Sequence, residues 1–221
     1  MTNSRRAFWQ ALVFTFFIFG IGMAIGFLLE NSREKKVEIS SIQSELNLLD
    51  EQVRDKAISE FGISCSLARE STFRYADRIY NEALKLEKFD SSAKFYNTLK
   101  IIHKRYDLLR MMLWAQSIEI KKNCSDFHTV VYLFQYDTEN INTRAQQTAF
   151  SRLLTDLKNK YPDEILLVPI AANLDLDSVE LAMQAYGVKK APAILIDEDD
   201  VFYDIINFEE LENLVFQSNK T

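Results

Sequence analysis

Hydrophobic and polar positions divide the chain into unlike stretches. From Ala7 to Leu29 the run is apolar, with Gln10 and Thr15 as its clearly polar members, and it contains no charge and no Pro. At about 1.5 Å rise per residue, a helix of that length covers roughly 35 Å, enough to cross a hydrocarbon core. The pattern predicts a short tail over 1–6 and a membrane-spanning helix over 7–29. A cleaved signal peptide is the competing reading. Gly22-Met23-Ala24 would pass for a cleavage site, but the apolar run continues past it to Leu29, further than such a leader needs. Arg5 and Arg6 flank one side and Arg33, Lys35 and Lys36 the other, so the charges pull both ways; the acid-free tail favours an extracytoplasmic body. Gly22 and Gly26 have the small-xxx-small spacing that lets two helices approach closely, which carries the expectation of a homodimer.

Past the span, Ile39, Ile42, Leu46, Leu49 and Val53 alternate at three- and four-residue spacing, and the stripe breaks at Lys56 and Glu60. Over 30–60 this predicts a stalk, either a short coiled coil or an amphipathic helix lying on its neighbours. Gly62 and Ser64 interrupt the pattern, and 61–124 reads as a helical hairpin. One helix covers Leu67 to Glu87, with Phe73, Ala76, Ile79, Tyr80, Ala83 and Leu84 on one face. Asp90-Ser91-Ser92 caps a second from Ala93 to Ile118, with Leu99, Tyr106, Leu109, Leu113 and Trp114 inward and Glu119–Asn123 as an extended tail. An antiparallel hairpin brings Cys65 and Cys124 to one end. They either form a disulfide or stay as two buried thiols.

The remainder, 125–221, changes period. His128–Tyr136 is a near-continuous apolar run, as in a strand buried on both faces. A helical pattern follows over Thr143–Tyr161 and stops at Pro162-Asp163, then a second buried strand over Glu164–Ile170. Strand, helix and parallel strand make a right-handed crossover unit. Leu176–Tyr186 reads as a helix closed by Gly187, Ala193–Ile196 and Val201–Ile206 as strands either side of an acidic turn, and Phe208–Phe216 as a last helix. The class is α/β, with a mixed four-stranded sheet and flanking helices.

Composition narrows the chemistry. Apolar residues make up 48% of the chain and charged residues 26%, so it is not a disordered chain. Two Cys and two His supply neither a disulfide scaffold nor a zinc site, and no metal or small-molecule cofactor is expected. A net charge of −6 argues against nucleic acid as a partner. The charge is uneven: residues 127–221 balance at −9 and the preceding part at +3. Asp197–Asp200 reads as an acidic turn before it reads as a cation site. His128 at a strand start reads as structural, and His103, beside Lys104 and Arg105, as part of a solvated helix face.

The segment Tyr186-Gly187-Val188-Lys189-Lys190-Ala191-Pro192-Ala193-Ile194-Leu195-Ile196 resembles the thioredoxin superfamily, in which a helix end is followed by Gly-Val or Gly-Ile, then a Pro and an apolar strand. The resemblance covers residues 127–217. It implies a cis peptide bond before Pro192, and a peptide-binding edge where Ala191 offers its backbone to an extended guest beside the loop that begins at Tyr136 and Asp137. The departure is as informative. Where the family's enzymes carry Cys-x-x-Cys, this chain has Tyr136-Asp137-Thr138-Glu139-Asn140-Ile141-Asn142 and no thiol.

The expectation is therefore a membrane-anchored, redox-inactive thioredoxin-like module that binds a protein or peptide as a scaffold, adaptor or chaperone-like holder. One alternative is a thiol–disulfide oxidoreductase using Cys65 and Cys124 outside a Cys-x-x-Cys motif. The other is a structural dimeric spacer.

Overall fold

A computed structural model describes residues 8–10, 12–26, 46, 49–54, 56–58, 60–87, 96–124 and 127–217. The chain divides into two units, Met1–Lys56 and Ala57–Thr221. In the first, Phe8–Gly26 is a helix of mean hydropathy 2.0, long and apolar enough to cross a membrane. Its large side chains, among them Phe14, Phe17 and Ile18, are exposed, and a side chain added at Gly22 or Gly26 would meet nothing within 4 Å. Of the stalk stripe, Leu46, Leu49 and Val53 are exposed, all three in helical backbone. Ile39 and Ile42 lie outside the described residues, as do the charges flanking the span and the Asp90–Ser92 cap.

The second unit runs α1 (Cys65–Glu87), α2 (Tyr96–Lys121), β1 (His128–Phe134), α3 (Ile141–Lys160), β2 (Ile165–Ala171), α4 (Asp177–Ala185), β3 (Ala193–Ile196), β4 (Asp200–Phe202) and α5 (Phe208–Gln217). The sheet order is β2-β1-β3-β4. β1 pairs with β2 in parallel and with β3 antiparallel, and β3 pairs antiparallel with β4. Val130, Val131 and Leu133 are fully buried because helices cover both faces of the sheet. On one face Val130, Tyr132, Ile194 and Ile196 meet Phe150, Leu154 and Leu157 of α3 and Leu211 and Val215 of α5. The other face carries Thr129, Val131 and Leu133 and is covered by α2, whose Ser117 hydroxyl lies 3.4 Å from that of Thr129.

The hairpin's one end is closed by a disulfide between Cys65 and Cys124, with Cα atoms 5.4 Å apart. The tail expected over Glu119–Asn123 is not extended: α2 continues to Lys121 and turns there. The reason is tertiary. Lys121 Nζ donates to Asp197 Oδ1 (2.7 Å) and Glu198 Oε2 (2.8 Å), which draws the last helical turn onto the β3–β4 connection. That connection has two successive left-handed residues, Asp197 (φ 47°) and Glu198 (φ 67°), closed by Asp199 N–H donating to the Ile196 carbonyl. Such left-handed positions are usually given to Asn and Gly. Side-chain bonds offset the cost here. Asp197 accepts from Thr129 N–H and meets His128 Nδ1 at 2.6 Å, and Glu198 accepts from Trp114 Nε1 at 2.8 Å. Burial pushes the Asp197 carboxyl up, but its bonds from His128, Lys121 and Thr129 outweigh that and hold it below the usual range. The acidic turn is thus a clasp for α2. Among the described residues no group of His, Cys, Asp and Glu has a metal-holding arrangement.

Two strands are shorter than the apolar pattern. β1 stops at Phe134 and not Tyr136, because side chains take over the backbone of the next two residues; β4 stops at Phe202. Gly187 (φ 66°) ends α4 as expected: its N–H donates to the Gln184 carbonyl and Val188 N–H to that of Met183, while Val188 is buried.

Candidate functional site at the Ala191–Pro192 edge

The segment leaving β1 turns polar at Gln135, and from there its main chain pairs with amide side chains. Gln147 of α3 accepts from Gln135 N–H (2.8 Å) and donates to the Gln135 carbonyl (3.1 Å). Asn173, just past β2, accepts from Tyr136 N–H (2.6 Å) and donates to the Tyr136 carbonyl (2.9 Å). A carboxamide offers one acceptor and donors on one planar group, so each side chain reproduces what a neighbouring strand would give. Asp137 then turns the chain with φ 49°. Arg144 donates to the Thr138 carbonyl, and Asn140 caps α3 by accepting from Asn142 and Thr143 N–H groups. Ile141, the first residue of the helix, projects with 79% of its surface exposed.

Opposite stands the second half of the edge. The Ala191–Pro192 peptide bond is cis, and Pro192 is buried while Ala191 is half-buried. The two halves are joined by Gln135, whose Nε2 donates to the Ala191 carbonyl at 3.1 Å. Tyr203 secures the approach to the proline: its hydroxyl accepts from Lys189 N–H at 2.9 Å, and its own carbonyl accepts from Gln146.

Of the residues singled out from sequence, Tyr136, Asp137, Ala191 and Pro192 thus lie about one sheet end, linked through Gln135. Cys65 and Cys124 do not join them. They sit before the start of β1, a strand that spans roughly 20 Å at about 3.3 Å per residue, and they are bonded to each other; no described cysteine is free. The edge holds no thiol. Sequence reading missed Gln135, Gln147 and Asn173, and it misplaced His103. That ring is not on a solvated face: it is half-buried and packs against Tyr136, centroids 4.5 Å apart. α2 therefore touches the loop directly.

The clamp makes a local prediction. Gln147→Ala removes both bonds to the Gln135 main chain, each worth about 0.5–1.5 kcal/mol, while Asn173 and the Asn140 cap still hold the residues that follow. Amide hydrogen exchange at Gln135 is expected to accelerate by about tenfold or more, with the β1 amides of Val130 to Leu133 unchanged. Unaltered exchange at Gln135 would show that the loop does not depend on the amide.

No family model matches the chain, and no curated protein does. Among solved structures it is similar to thioredoxin O2 from Arabidopsis thaliana in the oxidized state, at 17% identity over 48% of this chain and 88% of that one, with a TM-score of 0.31. The sheet order, the parallel β1–β2 pair and the flanking helices fit an α/β thioredoxin-like fold.

Proposed function

We propose that this chain is a membrane-anchored, redox-inactive thioredoxin-like module that binds a protein or peptide partner at the Ala191–Pro192 edge. The carrying observation is the separation of sulfur from that edge: its two halves are assembled, yet both thiols are consumed in a bridge at the other end of β1. With no thiolate near the cis-proline, thiol–disulfide exchange has no nucleophile there. Binding remains available to Tyr136, Asp137, Ile141 and Ala191. The apolar helix Phe8–Gly26, its side chains uncovered, supports the anchor.

The mode of binding follows from who already holds Ala191. Its carbonyl already accepts one bond from Gln135, so a guest strand pairing there shares that carbonyl through its second lone pair, displaces the amide, or uses the exposed Ile141–Asp137 side of the loop.

Two measurements test the reading. In an insulin-reduction assay the full chain is expected to give no turnover above buffer; turnover abolished by Cys65→Ser would replace this reading with an oxidoreductase. A photoreactive residue at position 141 in native membranes is expected to form a polypeptide adduct that Asp137→Lys abolishes, with none formed from position 67 at the opposite end. Equal adducts from both positions would remove the edge as the docking surface.

A further inference from the structure

β2 is an edge strand, and its outer side is open along a short window. Alternate backbone groups of β2 point to β1: His128 N–H donates to the Glu164 carbonyl, and Ala172 N–H to that of Phe134. Even-numbered residues of β2 therefore face β1, and Ile165, Leu167, Pro169 and Ala171 face outward. Side chains cover the two ends of that outer side. Lys158 Nζ donates to the Ile165 carbonyl (3.0 Å), and Asp107 Oδ2 accepts from Ala171 N–H (3.2 Å). Between them the N–H and carbonyl of Leu167 and the carbonyl of Pro169 have no protein partner among the described residues. Pro169 has no N–H to offer, as suits an edge.

This window opens into a groove. Two adjoining cavities, of about 230 and 340 Å³, share Leu167, Pro169, Tyr80, Thr155 and Arg110 in their walls. α1 and α3 form the sides. Near their ends they meet, where Lys158 lies over the Phe73 ring at 4.6 Å, and away from that contact they leave Ala83 and Leu84 facing Gln147 and Ser151 across the gap. Most of the lining is apolar. Its charges are Arg110, Lys158 and Asp77. Arg110 is nine-tenths buried and gives Nη1 to Asp107 at 3.0 Å; its other N–H groups have no protein partner among the described residues.

We infer that this groove binds an extended, mainly apolar peptide segment carrying one acidic side chain, which adds to β2 as a further strand. The Leu167 N–H and carbonyl supply the pairing, as in strand addition at other sheet edges. Apolar side chains of the guest fill the space between Ile79, Leu113 and Leu154. Its carboxylate lies by Arg110 and Lys158, the two cations that outnumber Asp77. Burial lowers the Lys158 pKa despite Asp77 and Asp163, so an added negative charge beside it is favourable. The groove lies on the outer edge of β2, apart from the Ala191–Pro192 edge, and does not depend on the reading given to that edge.

The test uses the full chain in lipid nanodiscs and a display library of random peptides about seven residues long, the length of an ordinary strand. Peptides with alternating apolar residues and one Asp or Glu are expected to be enriched. Their affinity is expected to fall at least about tenfold in Leu167→Pro, which removes the edge donor, and in Ala83→Trp, which fills the groove from α1 without removing a buried group. Leu181→Glu, on the exposed side of α4 and outside both cavities, is expected to leave binding unchanged. Enriched peptides that bind both groove variants as tightly as the parent would overturn the proposal, and so would no enrichment. Self-association of the parent that Ala83→Trp abolishes, with no peptide enriched, would overturn it in favour of a second copy of this chain.

Discussion

Cys65→Ser is expected to destabilise the body of the protein by about 4 kcal/mol, the loss of a cross-link that closes a loop with a sequence separation of 59. The bridge ties the start of α1 to the segment between α2 and β1, so in its absence the unfolded chain regains the freedom of nearly the whole hairpin. The Cα separation of 5.4 Å lies in the ordinary range for a disulfide, so the native backbone need not be distorted to make the bond. For a body of this size, the loss corresponds to a fall of roughly 8–16 °C in Tm. Fluorescence of Trp114, buried at 2% exposure, reports the transition, and Trp9 in the apolar helix supplies a constant background. Cys124→Ser and the double variant are expected to match Cys65→Ser, since one bond is lost in every case. A midpoint unchanged by all three would mean that the bridge contributes nothing to the native state.

The second large effect concerns Asp107, 1% exposed in α2. Its carboxylate holds Arg110 through Oδ1 and the outward Ala171 N–H through Oδ2, so Asp107→Ala strands a buried guanidinium and a strand-end amide together. The expected cost is about 3–5 kcal/mol by chemical denaturation at neutral pH. Replacing both partners with apolar residues, Asp107→Leu with Arg110→Met, is expected to recover most of it, because the charge that made the single change costly is gone. A double variant as unstable as Asp107→Ala would contradict this account.

Asp107 also gives a pH signature. Burial raises its carboxyl to about 6 from 3.8, and the pull of Arg110 and the Ala171 N–H does not cancel it. Between these values the folded state holds a proton that the unfolded state has released. The contribution to stability is therefore fully present below pH 3.8 and is lost as pH rises through about 6, at up to about 1.4 kcal/mol per pH unit. Asp197 works the opposite way, since its pKa is lowered on folding. The measured quantity is thus the difference in stability between the parent and Asp107→Asn across pH 4 to 7. A difference independent of pH would show that the carboxyl is not perturbed.

Much of the sheet was legible in the sequence because its strands are buried on both faces, which forces unbroken apolar runs such as Val130 to Phe134. The end of α4 was legible for a local reason: Gly187 and Val188 satisfy the last carbonyls with their own N–H groups. What failed to show was set by partners distant in the chain. α2 outlasts its apolar pattern because Lys121 reaches residues 76 and 77 positions away. His103 sits among Lys104 and Arg105, which mark a wet face, yet its partner Tyr136 comes from a loop that no helical periodicity reveals. The amide clamp is the clearest case. Gln147 and Asn173 carry no periodic or compositional mark, and their role exists only once the crossover brings α3 and the end of β2 beside Gln135 and Tyr136. At the candidate site, the proline and its neighbour were readable from a family pattern, whereas the side chains that fasten the loop were not.

The clasp at Asp197 and Glu198 bears on how this protein can be taken apart. Trp114, Lys121 and Ser117 of α2 are fixed to the sheet end, and α2 roofs Val131 and Leu133. A gene fragment beginning at β1 would therefore encode a sheet with one greasy side bare to water. The carboxy-terminal part is thus a dependent half, and transplanting it as a cassette would require carrying both long helices along.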